Sequence, residues 1–253
     1  MMKKVLTIAG SDSSGGAGIQ ADLKTFAANG VYGASVITAV TAQNTKGVYN
    51  IQSIKPEIVQ SQIEAVLDDI EIDAVKIGMV FNDEIIESIY NTLNNYKISK
   101  IVLDPVMVST SGNRLLDKSA EKSLVDYLFK LAYVITPNIP EAEVLTNKII
   151  TNIEDMKEAC LKIKELGVKS VLLKGGHLKE EAVDVLLYND NFYYFRKEKI
   201  KTNNTHGTGC TLSSAIAANL ANGFELIDAV DKAKDYLTKA ISNSYSVGKG
   251  SGP

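Results

Sequence analysis

The chain contains few cysteines, no excess of basic residues and no long hydrophobic run, and each shortage excludes a class of protein. Its two cysteines, Cys160 and Cys210, form neither a disulfide framework nor a zinc motif. The 27 basic and 30 acidic side chains give a net charge of −3, which argues against a nucleic-acid partner. No apolar run approaches the roughly 18 residues that span a membrane. We therefore expect a protein of the reducing cytoplasm that binds neither nucleic acid nor membrane.

The composition that remains is that of an ordinary globular protein. Of the 253 residues, 45% are hydrophobic and 23% are charged. A chain of this length buries a large core without disulfides or metals to support it. Neither a low-complexity linker nor an internal repeat divides the sequence, so we predict one domain over residues 1–253.

Short β-branched runs alternate with amphipathic helical stretches along the chain, a pattern typical of parallel βαβ units. Parallel strands are predicted at residues 5–9, 34–40, 74–77, 101–103, 133–136 and 171–173. Helices are predicted over residues 17–29, from Pro56, from near Asn82, Ser119 and Asn152, and over residues 211–221 and 226–243. The runs at residues 183–188 and 192–195, separated by a short polar turn, predict an antiparallel hairpin at one edge of the sheet.

A polar, glycine-rich segment follows the first predicted strand at residues 11–22. Glycines allow a close approach of the backbone to a ligand, and the following helix offers backbone donors. Residues 16–21 fit the dinucleotide pattern G-x-G-x-x-A, but six residues separate Gly16 from Ala9, and residues 33–42 contain no acid for a ribose. We favour a site for a polar small molecule. A dinucleotide site and a flexible turn without ligand remain the alternatives.

A second glycine-rich segment, residues 205–211, opens a helix of small residues. Gly207, Thr208, Gly209 and Cys210 place backbone donors at the positive end of the helix dipole, which favours an anion such as a phosphoryl group. Cys210 lies in the first turn, where the pKa of a thiol tends to be lowered, so it could accept a proton from a substrate hydroxyl. Alternatively, Cys210 packs as a small hydrophobic residue, or it forms a hydrolase pair with His206.

Polar residues also follow several predicted strands, at the edge of the sheet where ligands bind. Asp104, Asn138 and Glu141 offer hard oxygen ligands suited to Mg²⁺, and Lys174 offers a point charge for phosphate. The P-loop motif is absent from the sequence. A kinase built on this chain would therefore bind its nucleotide in another way.

Six ordered segments resemble the hydroxymethylpyrimidine and phosphomethylpyrimidine kinases of thiamine biosynthesis, a family of the ribokinase-like superfamily that is close to the pyridoxal kinases. The segments lie at residues 7–25, 41–45, 76–79, 103–107, 136–142 and 206–210. The resemblance implies a three-layer α/β/α sandwich with a mostly parallel sheet. Further, it implies a short tail with Asn and His after residues 250–253.

The resemblance implies transfer of the γ-phosphoryl group of ATP to the hydroxymethyl group of 4-amino-5-hydroxymethyl-2-methylpyrimidine, and then phosphorylation of the monophosphate. It also implies a homodimer. A pyridoxal kinase and a non-catalytic regulator remain the alternatives.

The residues implied for the pyrimidine are Gln43, Asp22, Gly10, Gly18, Met79 and Val106. Those implied for the nucleotide are Asp104, Asn138, Lys174, Gly175 and Gly176, with Asp104, Asn138 and Glu141 around magnesium. The catalytic set would be Lys174 and the anion hole of Gly207, Thr208, Gly209 and Cys210, with Cys210 where many relatives carry an Asp base.

Overall fold

The computed structural model describes residues 1–107, 116, 119–176 and 182–253. These residues form a mixed sheet in the order β3-β2-β1-β4-β5-β6-β7-β8-β9. Strands β2, β1, β4, β5, β6 and β7 run parallel, while β3 at one edge and β8 and β9 at the other are antiparallel. The strands are β1 (Lys4–Asp12), β2 (Tyr32–Asn44), β3 (Gly47–Ser53), β4 (Ala74–Ile77), β5 (Ile101–Leu103), β6 (Val134–Ile135), β7 (Val171–Leu173), β8 (Ala182–Tyr188) and β9 (Asn191–Lys197).

Helices cover both faces of this sheet. They are α1 (Gly18–Ala28), α2 (Pro56–Leu67), α3 (Asp83–Leu93), α4 (Ala120–Ser123), a π-helical turn (Leu124–Leu128), α5 (Phe129–Leu131), α6 (Ile139–Thr146), α7 (Ile153–Glu165), α8 (Thr208–Ala221) and α9 (Leu226–Ser242). Because successive strand residues point to opposite faces, Val75 and Ile77 pack in one core with α2, α3 and α7, whereas Ala74 packs in a second core with α1, α8 and α9. The predicted three-layer α/β sandwich is confirmed.

The predicted edge hairpin is confirmed as β8 and β9. Asn189 and Asp190 connect the two strands with φ angles of 48° and 61°, a conformation that these two residue types tolerate in tight hairpins. The structure adds a second antiparallel edge that the sequence pattern did not predict. Strand β3 pairs with β2. Its residues are partly or fully exposed and mix apolar with polar side chains, so they lack the apolar run that marks a buried strand.

Several element boundaries differ from the prediction in ways that affect the site. Strand β1 continues to Asp12, so three residues rather than six separate the strand from Gly16, and the spacing argument against a dinucleotide motif is weaker than expected. Helix α8 begins at Thr208, three residues before the predicted start. Helix α6 was not predicted, although Asn138 and Glu141 form a capping box at its first turn. None of the described helices is both long enough and apolar enough to cross a membrane.

Candidate active site

A cavity of about 680 Å³ lies at the carboxyl ends of the central strands, where open α/β sheets bind ligands. The structure brings most of the predicted site residues to its wall. They are Gly10, Gly18, Gln43, Met79, Val106, Asp104, Asn138, Glu141, Lys174, Gly176, Gly207, Thr208, Gly209 and Cys210. The two others, Asp22 and Gly175, are buried behind the wall.

The first glycine-rich loop is folded around the carboxylate of Asp12. This carboxylate accepts hydrogen bonds from the backbone N–H groups of Ser14, Gly16 and Ala17 at 2.8, 3.1 and 2.8 Å. Burial raises the pKa of Asp12, but these bonds and the side chains of His206 and Ser14 outweigh it and lower that pKa to about 2. Asp12 therefore holds the loop as a carboxylate before any ligand arrives. Sequence analysis did not select this residue, although an acid directly before a glycine-rich turn is a signal for such a contact.

The second glycine-rich loop packs directly on the first. Gly207 has a φ of 78°, and a Cβ atom on it would lie 1.8 Å from the carbonyl oxygen of Gly16. Only glycine allows both this backbone conformation and this approach. Helix α8 starts at the next residue, and the N–H groups of a first helical turn have no partners within the helix. The loop contact thus directs the positive end of α8 into the cavity.

A charged pair lies beside the start of α8. Lys174 Nζ donates to Asp104 Oδ1 at 2.8 Å, and Thr136 Oγ1 donates to the same oxygen at 3.1 Å. A Cβ atom on Gly209 would lie 3.3 Å from Lys174 Nζ, so the ammonium group adjoins the first turn of α8. Burial lowers the pKa of Lys174, but the carboxylates of Asp104 and Glu141 raise it by more, so the net shift is upward. An ammonium group and a helix N-terminus therefore converge on one region of the cavity.

Asn138 and Glu141 have a structural role at the start of α6. The Asn138 side chain accepts from the N–H of Glu141 at 2.9 Å, and the Glu141 carboxylate accepts from the N–H of Asn138 at 2.8 Å. Burial raises the pKa of Glu141 to about 7; Lys174 lowers it and the nearby Asp104 raises it. Two acids thus share one buried region.

Cys210 corrects one expectation from the sequence. We expected a lowered pKa for a thiol in the first turn of a helix, but the pKa is raised to about 11. Burial is the largest cause, and the carboxylates of Asp22 and Asp104 add to it. The ammonium group of Lys76 and the N–H of Gly18 lower the pKa, but they do not outweigh the burial. The resting group is therefore a thiol.

Asp22 lies one layer behind the cavity and holds a lysine in place. Its carboxylate accepts from Lys76 Nζ at 2.9 and 3.0 Å, from Thr7 Oγ1 at 2.6 Å and from Ser214 Oγ at 2.6 Å. Both partners of the ion pair are fully buried. Burial lowers the pKa of Lys76, but Asp22 more than compensates, and the net shift is upward. Lys76 lines the cavity, and a lysine inside an otherwise apolar strand was the signal for it.

The far end of the cavity has an apolar surface that sequence reasoning missed. Its lining includes Leu212 of α8, Leu237 and Ile241 of α9, and Ile200 of the loop that follows β9. Beside it, Lys234 Nζ donates to Asp184 Oδ2 at 2.5 Å, and the other oxygen of Asp184 accepts from the N–H of Gly175 at 2.9 Å. Gly175 therefore acts through its backbone, and a Cβ atom there would lie 1.8 Å from the carbonyl oxygen of Val183. These residues come from distant parts of the chain, so no local motif marks them.

Relatives of this chain are named as hydroxymethylpyrimidine/phosphomethylpyrimidine kinases or as thiamine-biosynthesis proteins. The hydroxymethylpyrimidine/phosphomethylpyrimidine kinase of Rhizobium meliloti is 51% identical over 252 residues, covering 98% of this chain and 94% of that protein. The thiamine biosynthesis bifunctional protein of Geobacter sulfurreducens is 50% identical over 250 residues, or 98% of this chain. These residues are 51% of that protein, so the chain spans about half the length of the bifunctional relative.

Solved structures agree with these relatives. The phosphomethylpyrimidine kinase of Clostridium difficile 630 is 53% identical with a TM-score of 0.85, covering 94% of this chain and 99% of that one. The pyridoxal kinase of Staphylococcus aureus, in complex with AMP-PCP and pyridoxal, is 35% identical with a TM-score of 0.92, covering 100% of this chain and 93% of that one. A family model described as phosphomethylpyrimidine kinase matches residues 12–253. The family predicted from the motifs is confirmed: this chain belongs to the phosphomethylpyrimidine kinase family.

Proposed function

We propose that this protein transfers the γ-phosphoryl group of ATP to the hydroxymethyl group of 4-amino-5-hydroxymethyl-2-methylpyrimidine, and then phosphorylates the monophosphate to the diphosphate. The observation that carries the proposal is the layout of the cavity. Along the sheet order, Gln43 lies on β2, Asp104 and Lys174 follow β5 and β7, and Ile200 follows β9, so polar recognition groups, the charged pair and the apolar surface line the cavity in that sequence. This order matches a pyrimidine, a chain of phosphates and a nucleobase.

The pyrimidine end is formed by Gly10, Gln43, Met79 and Val106. The carboxamide of Gln43 both donates and accepts hydrogen bonds, which suits the alternating donors and acceptors of an aminopyrimidine. Met79 offers an adaptable apolar surface to the ring. Gly10 allows the ring to approach the backbone, and a Cβ atom there would lie 3.0 Å from the sulfur of Met79. Together these groups orient the hydroxymethyl group toward the start of α8.

Phosphoryl transfer needs donors directed at the equatorial oxygens of the group in flight. The first turn of α8 and the ammonium group of Lys174 supply them. The side chain of Lys174 is 14% exposed, so phosphate can compete with Asp104 for it. Positioning and charge stabilisation then account for most of the catalysis. In the proposal Cys210 is a secondary base that removes the hydroxyl proton in its minor thiolate form.

Magnesium fits this site as a partner of the nucleotide. The described residues contain no group of three His, Cys, Asp or Glu side chains that would hold a metal ion unaided. Mg²⁺ keeps several waters and binds through one or two carboxylates together with phosphates. Asp104 and Glu141, with the amide oxygen of Asn138, would hold it from the protein side. Bound there, the ion neutralises charge on the phosphates.

Parallel turnover assays test the proposal against its alternatives. ADP release is measured with Mg-ATP and either the pyrimidine or pyridoxal, and we expect a higher kcat/KM for the pyrimidine. The reverse preference would support a pyridoxal kinase, and no ADP release above background would support a non-catalytic regulator. NAD binding by calorimetry would revive the dinucleotide interpretation. Several relatives at about half identity are named hydroxymethylpyrimidine/phosphomethylpyrimidine kinase or phosphomethylpyrimidine kinase, which supports the expected preference.

A matched pair of glutamine variants localises the pyrimidine site. Gln43→Ala removes a carboxamide from the cavity wall, whereas Gln52→Ala removes one from an exposed position on β3 that does not line the cavity. Loss of one hydrogen bond should raise the KM for the pyrimidine about tenfold in the first variant. The second should leave it unchanged. Equal effects would contradict the placement of the pyrimidine.

We also propose a cytoplasmic homodimer in which residues 1–253 act as one domain. The nine described strands form one continuous sheet, and a single cavity wall draws site residues from β1 to α8, which supports one domain. Val40 and Tyr49 expose apolar side chains at the β2–β3 edge, which supports pairing of two copies there. Light scattering of the purified chain should give twice the monomer mass. Cell fractionation of the native source tests the location.

A further inference from the structure

His206 connects the two glycine-rich loops through one ring nitrogen. Its Nε2 lies 2.9 Å from Asp12 Oδ2 and 3.3 Å from the Nε2 atom of Gln43. The other end of the Gln43 carboxamide, Oε1, lies 3.1 Å from the hydroxyl of Thr41. That hydroxyl also lies 2.9 Å from the carbonyl oxygen of Ser11. These five residues form one chain of polar groups from the first loop to the second.

The donors and acceptors in this chain fix which atoms carry hydrogen. Asp12 has a strongly lowered pKa and is a carboxylate, which only accepts hydrogen bonds. The Nε2 atom of His206 therefore carries a proton and donates to Asp12, whether the ring is neutral or charged. Because this nitrogen donates, the carboxamide atom of Gln43 that faces it must be an acceptor. The amide nitrogen cannot fill that place.

Thr41 leads to the same conclusion from the other end of the carboxamide. Its hydroxyl has one proton, and the carbonyl oxygen of Ser11 accepts it at 2.9 Å. The Thr41 oxygen is then left to accept from Gln43, which requires the amide nitrogen at this end. The oxygen and nitrogen of a carboxamide are assigned from the hydrogen bonds around them. Here both neighbours, His206 and Thr41, require the Gln43 carboxamide to be rotated by about 180°, which exchanges Oε1 and Nε2.

We propose that His206 is a positioning residue that holds the Gln43 carboxamide with Oε1 toward its own ring and Nε2 toward Thr41. One N–H of Gln43 then donates to Thr41, and the second is left for an acceptor in the cavity. A ring nitrogen of the aminopyrimidine is such an acceptor, so this inference rests on the proposed function. His206 directly precedes Gly207, and so the loop that receives the phosphoryl group also orients the group that recognises the ring.

A double-mutant cycle tests this coupling. The dissociation constant of 4-amino-5-hydroxymethyl-2-methylpyrimidine is measured by calorimetry for the wild type, His206→Leu, Gln43→Ala and the double variant. If His206 acts through Gln43, each single change weakens binding about tenfold, and the double variant binds no more weakly than Gln43→Ala. His206→Gln should stay within about threefold of the wild type, because its amide nitrogen can donate to both neighbours. Circular dichroism checks that each variant folds.

Two results would overturn the inference alone. The first is a double variant whose dissociation constant is about a hundredfold higher than that of the wild type, because the effects of His206→Leu and Gln43→Ala then multiply. The second is a His206→Gln variant that is folded but binds the pyrimidine as weakly as folded His206→Leu. If His206→Leu does not fold, His206→Asn replaces it, because the asparagine side chain is polar but too short to contact Gln43. A wild-type protein that does not bind the pyrimidine would overturn the proposed function together with this inference.

Discussion

The raised pKa of Cys210 gives a quantitative test of its role as a base. If the thiolate accepts the hydroxyl proton, kcat follows the thiolate fraction. With a pKa of about 11, that fraction is roughly one in a thousand at pH 8 and roughly one in ten at pH 10. We therefore expect kcat of the wild type to rise about a hundredfold across this interval. Cys210→Ala should show no such rise.

Between pH 8 and pH 10 the charged groups around Cys210 keep the same protonation state. The pKa values of Lys76 and Lys174 are both raised by their aspartate partners, so their ammonium groups stay charged as the pH increases. Glu141 has a pKa of about 7 and is already ionised at pH 8 and above. A rise in kcat that depends on Cys210 can therefore be assigned to the thiol.

The assay is steady-state ADP formation at saturating pyrimidine and Mg-ATP, with ADP separated by chromatography so that no coupling enzyme limits the pH. Circular dichroism at each pH confirms that the protein stays folded. A flat wild-type profile would refute the base role. So would an equal rise in Cys210→Ala. In either case Cys210 is a small packing residue, and the amides of α8 perform the catalysis.

Three further changes test other parts of the site. Gly207→Ala places a Cβ against the first loop and should lower kcat/KM more than tenfold. The control is Gly223→Ala, at a glycine that also has a positive φ but has no atom within 4 Å of the added Cβ. This control should cost only about 1 kcal/mol of stability in a thermal melt and leave turnover unchanged. Lys76→Met leaves the Asp22 carboxylate buried and unpaired, and urea unfolding should show a loss of about 3–5 kcal/mol, largely restored when Asp22→Asn is added. Glu141 has a raised folded pKa, so its contribution to stability is present below about pH 4.5 and is lost as the pH rises through about 7. Melts of Glu141→Gln should therefore lack the decline that the wild type shows in this window.

The buried central strands could be predicted from the sequence because they are buried on both faces. Residues 101–103 and 171–173 are continuous apolar runs, residues 74–77 are apolar except for Lys76, and the structure has strands at all three places. Strand β3 is different. It lies at an edge and mixes apolar with polar residues, and it forms because β2 offers it a partner across a short turn. No pattern within the seven residues of β3 predicts its pairing with β2.

The site residues show the same division. The rule that ligands bind at the carboxyl ends of parallel strands was enough to select Asp104 and Lys174, which the structure pairs. It could not predict the thiol pKa of Cys210. That pKa depends on burial and on the carboxylates of Asp22 in α1 and of Asp104 directly after β5, which are far away in the sequence. A local rule for helix N-termini therefore had the wrong sign.

The buried lysine–aspartate pairs around the cavity differ in what a ligand can change. Lys76 and Asp22 are fully buried, and the hydroxyls of Thr7 and Ser214 donate to the same carboxylate. If Lys76 moved to a phosphate, the buried Asp22 carboxylate would keep these two hydroxyls but lose its counter-charge. Lys174 keeps part of its surface open. Under the proposed function, its partner Asp104 would face the magnesium ion of the nucleotide, which would replace the ammonium group as the positive neighbour. We therefore expect Lys174 to move from carboxylate to phosphate when ATP binds, and Lys76 to stay with Asp22.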